Sequence, residues 1–142
     1  MSDYPRIDVT VDVVALADVG GEPHLLVVRR GNPPFEGQWA FPGGYLEVDE
    51  DLAPAAAREL EEETGLALSA DRLRQLGAYG EPGRDPRNRT ISVTFMVDLE
   101  EPVEATGGDD AADARWRPVT DVQAEGLAFD HARILADALA SR

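Results

Sequence analysis

The sequence has no cysteine, no lysine and only two histidines among its 142 residues. Without cysteine there are no disulfides, thiolate metal sites or cysteine nucleophiles, so any metal must be held by oxygen or imidazole ligands. No apolar run approaches the roughly 20 residues that a membrane-spanning helix needs, and the N-terminus lacks the apolar core of a signal peptide. The sequence therefore predicts a soluble, cytoplasmic protein with no membrane partner.

Positive charge is also scarce. There are 28 acidic residues against 13 basic ones, all of them arginine, which gives a formal net charge of −15. A field of this sign repels nucleic acid backbones and anionic membranes, so we expect neither as a partner. Solubility, or adaptation to a salty cytoplasm, accounts for the scattered acids. It does not account for a cluster of acids at helical spacing.

The first part of the chain has the pattern of a hairpin. A chain of this length without repeats or linkers predicts one domain over residues 1–142. Alternating apolar and polar residues predict a strand over 7–17, and a second strand is predicted over 25–30. The turn residues between them favour pairing of the two strands as a hairpin.

The remainder of the chain predicts two helices among further strands. A Pro-Gly-Gly turn at 42–44 leads to a helix with an apolar stripe that ends at Gly65, a natural C′ residue. Strands are predicted near 73–79, over 91–99 and over 115–119, with an acidic loop at 104–114 and a last helix with Asp130 as N-cap. Because most strands alternate, the pattern indicates an α/β sandwich around a mixed or antiparallel sheet.

The stretch "RELEEETGL", residues 58–66, carries an unusual cluster of acids. Glu59, Glu62 and Glu63 share one helix face, where like charges repel by roughly 0.2–0.5 kcal/mol per pair, and the negative end of the helix dipole adds to this cost. Converging carboxylates bind hard divalent cations such as Mg²⁺, and a cation would remove both costs. An ordinary solvated helix face is the alternative for these glutamates taken alone.

The wider pattern "GYLEVDEDLAPAAARELEEETGL", residues 44–66, decides between these interpretations. It resembles the 23-residue box of the Nudix hydrolases and matches each of its defined positions. Outside the box, "VRRGNPPFEGQWAFPGG", "GEPGRDPRNRTISVTF" and "LAFDH" are similar to the small ADP-ribose pyrophosphatase-like subgroup. The resemblance implies a Nudix-type α/β/α sandwich around a mixed sheet and hydrolysis of a diphosphate.

The same resemblance implies a metal site. By their positions in the box, Glu59, Glu62 and Glu63 would be the side-chain ligands of Mg²⁺ or Mn²⁺. Gly43 would contribute its backbone carbonyl, and Glu47 would be a further ligand through water or a second ion. Bound cations would neutralise the phosphoryl oxygens and lower the pKa of an attacking water.

Catalytic roles follow from the resemblance in less detail. Glu62 by preference, or Glu59, would take the proton of the water as general base, and the sequence leaves this choice open. Arg58 would orient the site by pairing with a box carboxylate such as Glu50, or would instead be a surface arginine in an i,i+4 pair with Glu62. A further base would come from the acidic loop, unless its members are plain loop acids: Asp109, Asp110 and Asp113.

Candidate substrate contacts are arginines and aromatic residues. Guanidinium groups match phosphate oxygens, but at least two of four candidates are expected to be ordinary loop or strand-edge charges: Arg29, Arg84, Arg87 and Arg89. Four aromatic side chains either stack on an adenine or belong to the core: Phe35, Trp39, Phe41 and Tyr79. Both histidines, His24 and His131, are expected to be structural.

The predicted function is metal-dependent hydrolysis of ADP-ribose, or of a related ADP-linked substrate, to AMP and, for ADP-ribose, ribose 5-phosphate. One alternative is an oxidised nucleoside triphosphate pyrophosphohydrolase, such as an 8-oxo-dGTP diphosphatase, which would release pyrophosphate. An alternative of another class is a non-catalytic domain that senses ADP-ribose. Such regulators add a DNA-binding helical module after the Nudix core, whereas only one helix is predicted after the last strand of this chain. A third is an acidic interaction domain that is indifferent to chelators. The resemblance also implies a homodimer.

Overall fold

The structure is a computed structural model that describes residues 4–105 and 111–142, without the side chains of residues 111 and 112. A short 3₁₀ turn (Ala70–Arg72) precedes the fifth strand. The strands and helices follow in this chain order: β1 (Asp8–Val19), β2 (Glu22–Arg30), β3 (Trp39–Ala40), β4 (Gly43–Tyr45), α1 (Leu52–Thr64), β5 (Arg74–Tyr79), β6 (Thr90–Leu99), β7 (Ala111–Pro118), α2 (Val119–Glu125) and α3 (His131–Ser141).

The strands form one seven-stranded sheet with the central order β3-β2-β1-β6-β5, while β4 pairs with β1 and β7 pairs with β2. β1 and β6 run parallel, and the other described pairs are antiparallel. β1 and β2 are joined by a tight turn, with Val19 opposite Glu22. The predicted hairpin and the predicted mixed sheet are therefore confirmed.

Helices cover both faces of the sheet. On one face, Ala56 and Leu60 of α1 pack against odd-numbered residues of β1 and β6 such as Val13. On the other face, Ile134 of α3 packs with even-numbered residues such as Val14, and α2 joins the same cluster. Each central strand thus buries apolar side chains in alternation on its two sides. The α/β/α sandwich implied by the resemblance is confirmed.

Both ends of α1 are fixed by local interactions. The Asp51 side chain accepts a hydrogen bond from the Leu52 amide at 2.7 Å, which caps the first turn. Gly65 has the left-handed conformation (φ 77°), and its amide donates to the Glu61 carbonyl at 2.8 Å. The predicted end of this helix is confirmed, because only a residue tolerant of positive φ closes it in this way.

Two elements differ from the sequence predictions. The predicted turn at 42–44 is wrong in part, because Gly43–Tyr45 extends and pairs with β1 as β4. The helix α2 was not predicted, because it starts directly after Pro118 and buries only Val119 and Val122, too few apolar residues for a visible stripe.

The acidic loop and the last helix also depart from expectation in detail. β7 begins at Ala111, so the end of the predicted loop at 104–114 is strand. Asp130 precedes α3 as predicted, yet its side chain makes no capping hydrogen bond, because both carboxylate oxygens accept from Arg84. In the described ranges 4–105 and 111–142, no helix is long and apolar enough to cross a membrane.

Candidate active site

The strand β4 carries the beginning of the box into a narrow space between α1 and β1. A Cβ on Gly44 would lie 2.5 Å from Oε2 of Glu59, and a Cβ on Gly43 would overlap Oδ1 of Asp12. Real Cβ atoms do not come so close to other atoms. Position 43 therefore requires glycine, because its Cβ would also overlap the backbone carbonyl of Val11, whereas at position 44 the flexible end of Glu59 would have to move. β4 therefore separates the carboxylate of Glu59 from that of Asp12.

Three of the four glutamates of α1, namely Glu59, Glu62 and Glu63, and also Glu47 border a common cleft of about 400 Å³, together with Gly43 and Gly44. Glu59 is mostly buried, whereas the side chain of Glu62 is 59% exposed. The structure thus brings together all five residues that the sequence proposed as metal ligands, Glu59, Glu62, Glu63, Gly43 and Glu47.

Arg58 connects several of these carboxylates. Its Nε donates to Glu50 at 2.9 Å, and a second nitrogen of the same fork also donates to Glu50. Its third nitrogen donates to Glu59 at 2.7 Å and to Glu62 at 3.1 Å. Both pairings considered from the sequence, with Glu50 and with Glu62, are therefore present. The hydrogen bonds from Arg58 hold the pKa of Glu50 below its usual value.

Burial raises the pKa of Glu59, and the hydrogen bond from Arg58 only partly opposes this effect. A carboxylate that loses hydration in this way is stabilised by a nearby cation. The donor set consists of carboxylates and a backbone carbonyl, and such hard oxygen ligands fit Mg²⁺ or Mn²⁺. Within the described part of the chain, no three acidic or histidine side chains have the arrangement of a formed metal site, and Arg58 donates to Glu59 and Glu62.

A second cavity, of about 260 Å³, lies on the β1 side of β4, and Glu63 borders both spaces. Its lining combines cations and aromatic rings with three acidic residues, of which Asp12 and Asp85 are buried. The residues of these kinds include Arg29, Arg30, Arg84, Arg87, Phe41, Phe129, His131, Asp12, Asp85 and Glu63. The combination of positive charge and flat apolar surface suits a ligand that has both phosphates and a planar ring.

The arginines proposed from the sequence differ in their surroundings. Arg84 is buried and paired through two hydrogen bonds, of 2.9 and 2.7 Å, with Asp130. Arg87 is paired with Asp85 at 2.7 Å and lies over the Phe129 ring. Arg29 lies over a core ring, 4.8 Å from the centroid of Trp39. These three arginines line the cavity, whereas Arg89 does not.

Most of the aromatic candidates belong to the core rather than to the cavity. Trp39 and Phe41 are buried in the cluster under α3, and of these two only Phe41 borders the cavity. Tyr79 donates to Asp137 at 2.8 Å, outside the cavity lining, and burial raises its pKa to about 12. Phe35 is not part of the lining either, but it packs edge-on against Phe129 at 4.8 Å between centroids.

The acidic loop contributes little that the structure describes. Asp109 and Asp110 lie outside the described residues. Asp113 lies in β7 and pairs with Arg115 at 2.7 Å. A catalytic role for any of the three stays a prediction.

Sequence reasoning missed Arg30 and Asp12. The Arg30 side chain donates to the Pro34 carbonyl at 2.7 Å and lies over the Phe129 ring at 4.9 Å. Asp12 lies two residues before Val14 and therefore on the same face of β1. The alternation of the strand could have predicted that Asp12 is buried, because a charged residue at such a position faces the interior. Phe129 gave no such signal, since it lies in a loop.

Two titratable groups are buried beside the cavity. Asp12 accepts a hydrogen bond from Ser92, and burial raises the pKa of Asp12 to about 6. Nδ1 of His131 accepts from the Phe41 amide at 3.2 Å, and its ring stacks on Phe41. Burial lowers the pKa of His131 to about 3, so this histidine is neutral at physiological pH.

An α/β/α sandwich in which a glycine-containing strand and a carboxylate-bearing helix border one cleft is the arrangement that the Nudix box predicts. The NUDIX domain model matches residues 6–138, and the chain belongs to this family. The predicted resemblance is thereby confirmed.

Three similar proteins indicate which members of the family this chain resembles. An ADP-ribose pyrophosphatase of Methanocaldococcus jannaschii is 41% identical over 113 residues, 80% of this chain and 64% of that protein. The ADPR responsive transcriptional repressor NtrR of Acinetobacter baylyi is 31% identical over 98% of this chain and 56% of its own length. A bifunctional NMN adenylyltransferase/ADP ribose pyrophosphatase from Francisella tularensis, solved with AMP and a Mn ion, has a TM-score of 0.84 at 33% identity. That match covers 99% of this chain and 43% of the other.

The chain therefore spans between about two fifths and two thirds of the length of these proteins. All three of these proteins act on or respond to ADP-ribose, which agrees with the expected likeness to the ADP-ribose pyrophosphatase-like subgroup.

Proposed function

We propose that this protein hydrolyses ADP-ribose to AMP and ribose 5-phosphate in a reaction that requires Mg²⁺ or Mn²⁺. The observation that carries this proposal is the junction of two cavities at Glu63 and β4, one bordered by carboxylates and the other by arginines and aromatic rings. A nucleoside diphosphate linked to a sugar has the matching division into an anionic centre and a flat base. The names of the pyrophosphatase relatives support the same substrate.

In this proposal Glu59, Glu62, Glu63, the Gly43 carbonyl and Glu47 hold the divalent cation. The cation, when bound, neutralises phosphoryl oxygens and lowers the pKa of the attacking water. Glu62 accepts the proton of that water, because it is exposed to the cleft whereas Glu59 is mostly buried. Glu59 is the alternative base.

Bond changes in the reaction are simple. The water oxygen bonds to one phosphorus atom, the bond from that phosphorus to the bridging oxygen breaks, and the departing phosphate keeps the electron pair. Arg58 positions the carboxylates through its paired contacts with Glu50 and its contacts with Glu59 and Glu62. This role fits Arg58 because its planar fork holds two carboxylate oxygens at once.

Substrate contacts outside the box are part of the same proposal. Arg29 and Arg87 line the cavity, and each can donate to phosphate oxygens. Arg84, which is paired with Asp130, contributes charge to the same space. Phe35 packs against Phe129 and supports its contact with the base of the substrate. Asp110 is a further proposed contact with the substrate.

A panel of substrates tests the proposal against its nearest alternative. The protein is incubated with Mg²⁺ and ADP-ribose, NADH or 8-oxo-dGTP, each with an EDTA control, and products are separated by anion exchange. We expect AMP and ribose 5-phosphate from ADP-ribose and no product with EDTA. Pyrophosphate from 8-oxo-dGTP as the sole product would replace ADP-ribose hydrolysis with nucleotide sanitation.

A second candidate function is the sensing of ADP-ribose without hydrolysis. The observation that favours it is the similarity to an ADPR responsive repressor across 98% of this chain. Saturable binding of ADP-ribose by calorimetry with Mg²⁺, without any AMP after prolonged incubation, would support this candidate over the first. The absence of a nucleic-acid partner, a single domain over residues 1–142, a homodimer and a cytoplasmic location stay predictions.

A further inference from the structure

Asp12 is a buried carboxylate that the proposed reaction does not use. It lies in β1 on the face covered by α3, and 8% of the residue is exposed. Among residues 4–105 and 111–142, Asp12 has no salt bridge, since Arg84 on the same cavity pairs with Asp130. Arg84 lies near enough to favour the charged form of Asp12 but donates its hydrogen bonds to Asp130, so the Asp12 carboxylate is buried without an ion pair of its own, which is costly.

Only one of the two carboxylate oxygens has a donor in the described part of the protein. Oδ2 accepts from the Ser92 hydroxyl, which also shares a hydrogen bond of 2.9 Å with Thr94. No described group donates to Oδ1, and Asp12 borders the cavity. A ligand that supplies a donor at Oδ1 would complete the hydrogen bonding of this carboxylate.

The position of Oδ1 selects the part of a nucleotide that meets it. A Cβ on Gly43 would overlap Oδ1, so the oxygen lies directly against β4. Gly43 borders both cavities and is therefore beside the expected place of the diphosphate. In a nucleoside diphosphate the ribose is attached directly to the phosphates, whereas the base is farther away.

Charge supports the same choice. A carboxylate repels phosphate oxygens but accepts hydrogen bonds from hydroxyl groups, and acidic side chains hold ribose hydroxyls in dinucleotide-binding folds. The arginines of the cavity have the opposite preference, because they carry donors only. Of the other acidic residues that line the cavity, Asp85 is paired with Arg87 and Glu63 belongs to the proposed metal site, which leaves Asp12 on β1, with Thr10 beside it.

We propose that Asp12 determines specificity by accepting, through Oδ1, a hydrogen bond from a ribose hydroxyl of the bound nucleotide. The inference rests on the proposed function in that this cavity holds a nucleotide. ADP-ribose has a ribose on each side of its diphosphate, and both riboses carry hydroxyl groups that can donate a hydrogen bond to Oδ1. The test distinguishes the two sources.

Calorimetric binding is measured for Mg²⁺ alone and, with Mg²⁺ present, for AMP, IMP, 2′-deoxy-AMP and 3′-deoxy-AMP in one arm and for ribose 5-phosphate and 2-deoxyribose 5-phosphate in the other. We expect the protein to prefer the ribose form in one arm by about 10- to 100-fold, the range for a hydrogen bond to a charged group. Asp12→Ala should abolish this preference, and Asp12→Asn, which keeps an acceptor at nearly the same place, should retain part of it. Asp18→Ala is the matched control, because Asp18 also lies in β1 but is exposed and does not line the cavity, and it should keep the preference.

Three results would overturn the proposal. Equal weakening of ribose and deoxyribose ligands in Asp12→Asn would mean a structural role, and loss of Mg²⁺ affinity without loss of the preference would mean a metal ligand. A preference in the unmodified protein for AMP over IMP, with none for ribose, would place the base amine at this site. None of these ligands contains a hydrolysable diphosphate, so failure of ADP-ribose hydrolysis would be seen separately and would leave this result intact.

Discussion

Glu61 and Glu62 are neighbouring exposed glutamates of α1 that differ in their surroundings. Glu62 borders the carboxylate cleft and contacts Arg58, whereas the described structure shows no side-chain partner for Glu61. We predict that Glu62→Gln lowers kcat for ADP-ribose by about 100- to 10,000-fold, the usual contribution of a general base, while Glu61→Gln stays within a factor of two or so of the unmodified protein. Equal activity of the two variants in a steady-state assay would remove Glu62 from this role.

Gly44 tests the geometry of the cleft without changing a charge. A Cβ at this position would displace the carboxylate of Glu59, which is the end of a flexible side chain and can move. We predict that Gly44→Ala weakens Mg²⁺ binding by about 10- to 100-fold, as for other groups that position metal ligands, with little loss of stability. The control is Gly77→Ala, whose Cβ would meet its nearest neighbours at an ordinary 3.8 Å. Mg²⁺-dependent shifts of the melting temperature measure both, and unchanged Mg²⁺ affinity in Gly44→Ala would contradict the placement of Glu59.

Two ion pairs connect the loop before β6 to the beginning of α3. One pair is buried and the other is exposed, so their effects on stability can be compared. Arg84 and Asp130 are 2.7 Å apart with exposures of 4% and 17%, whereas Arg133 and Glu81 are 3.5 Å apart with exposures of 65% and 70%. We predict that Arg84→Met lowers the free energy of unfolding by about 3 kcal/mol or more, because it leaves Asp130 without a partner. Arg133→Met should cost less than about 1 kcal/mol. Urea unfolding measures both, and similar small losses would show that the inner pair does not fix α3.

The elements that the sequence predicted correctly are those with a local signal. The β1–β2 hairpin follows from alternation and a glycine turn, and α1 follows from an apolar stripe that ends at Gly65. β4 escaped prediction because glycine favours turns until a neighbouring strand offers pairing, and α2 because it is short and follows a proline. Local patterns therefore identified long elements, whereas short ones depend on contacts with distant strands.

The same distinction applies to the site as a whole. The cleft residues are Gly43 and members of the box that follows it directly, so a local sequence pattern was sufficient to identify them. The cavity on the other side of β4 draws Asp12, Arg30 and Phe129 from three separate segments. No local pattern joins these segments, because the sheet register and the packing of α3 bring them together.

At the scale of the whole molecule, the buried His131 makes stability depend on pH. Burial lowers its pKa from 6.5 to about 3, so between these values the unfolded chain binds a proton that the folded protein does not. The free energy of unfolding therefore decreases as pH falls below about 6.5, and the decrease due to His131 reaches about 2 kcal/mol at pH 5. We predict that lowering the pH from 7 to 5 reduces the free energy of unfolding less in His131→Asn than in the unmodified protein. Asn keeps an acceptor for the Phe41 amide but does not titrate in this range. His24→Asn removes the other imidazole as control, and a constant difference between His131→Asn and the unmodified protein over this range would contradict the prediction.

Metal-dependent hydrolysis of ADP-ribose by the protein can be examined in a single product analysis. The protein is incubated with ADP-ribose and Mg²⁺, then with EDTA, then with Mg²⁺ restored in excess, and the nucleotides are separated by anion exchange at each stage. We predict AMP and ribose 5-phosphate in equal amounts with Mg²⁺, no product with EDTA, and recovery when Mg²⁺ is restored. Intact ADP-ribose at all three stages, or hydrolysis that EDTA does not change, would contradict this prediction.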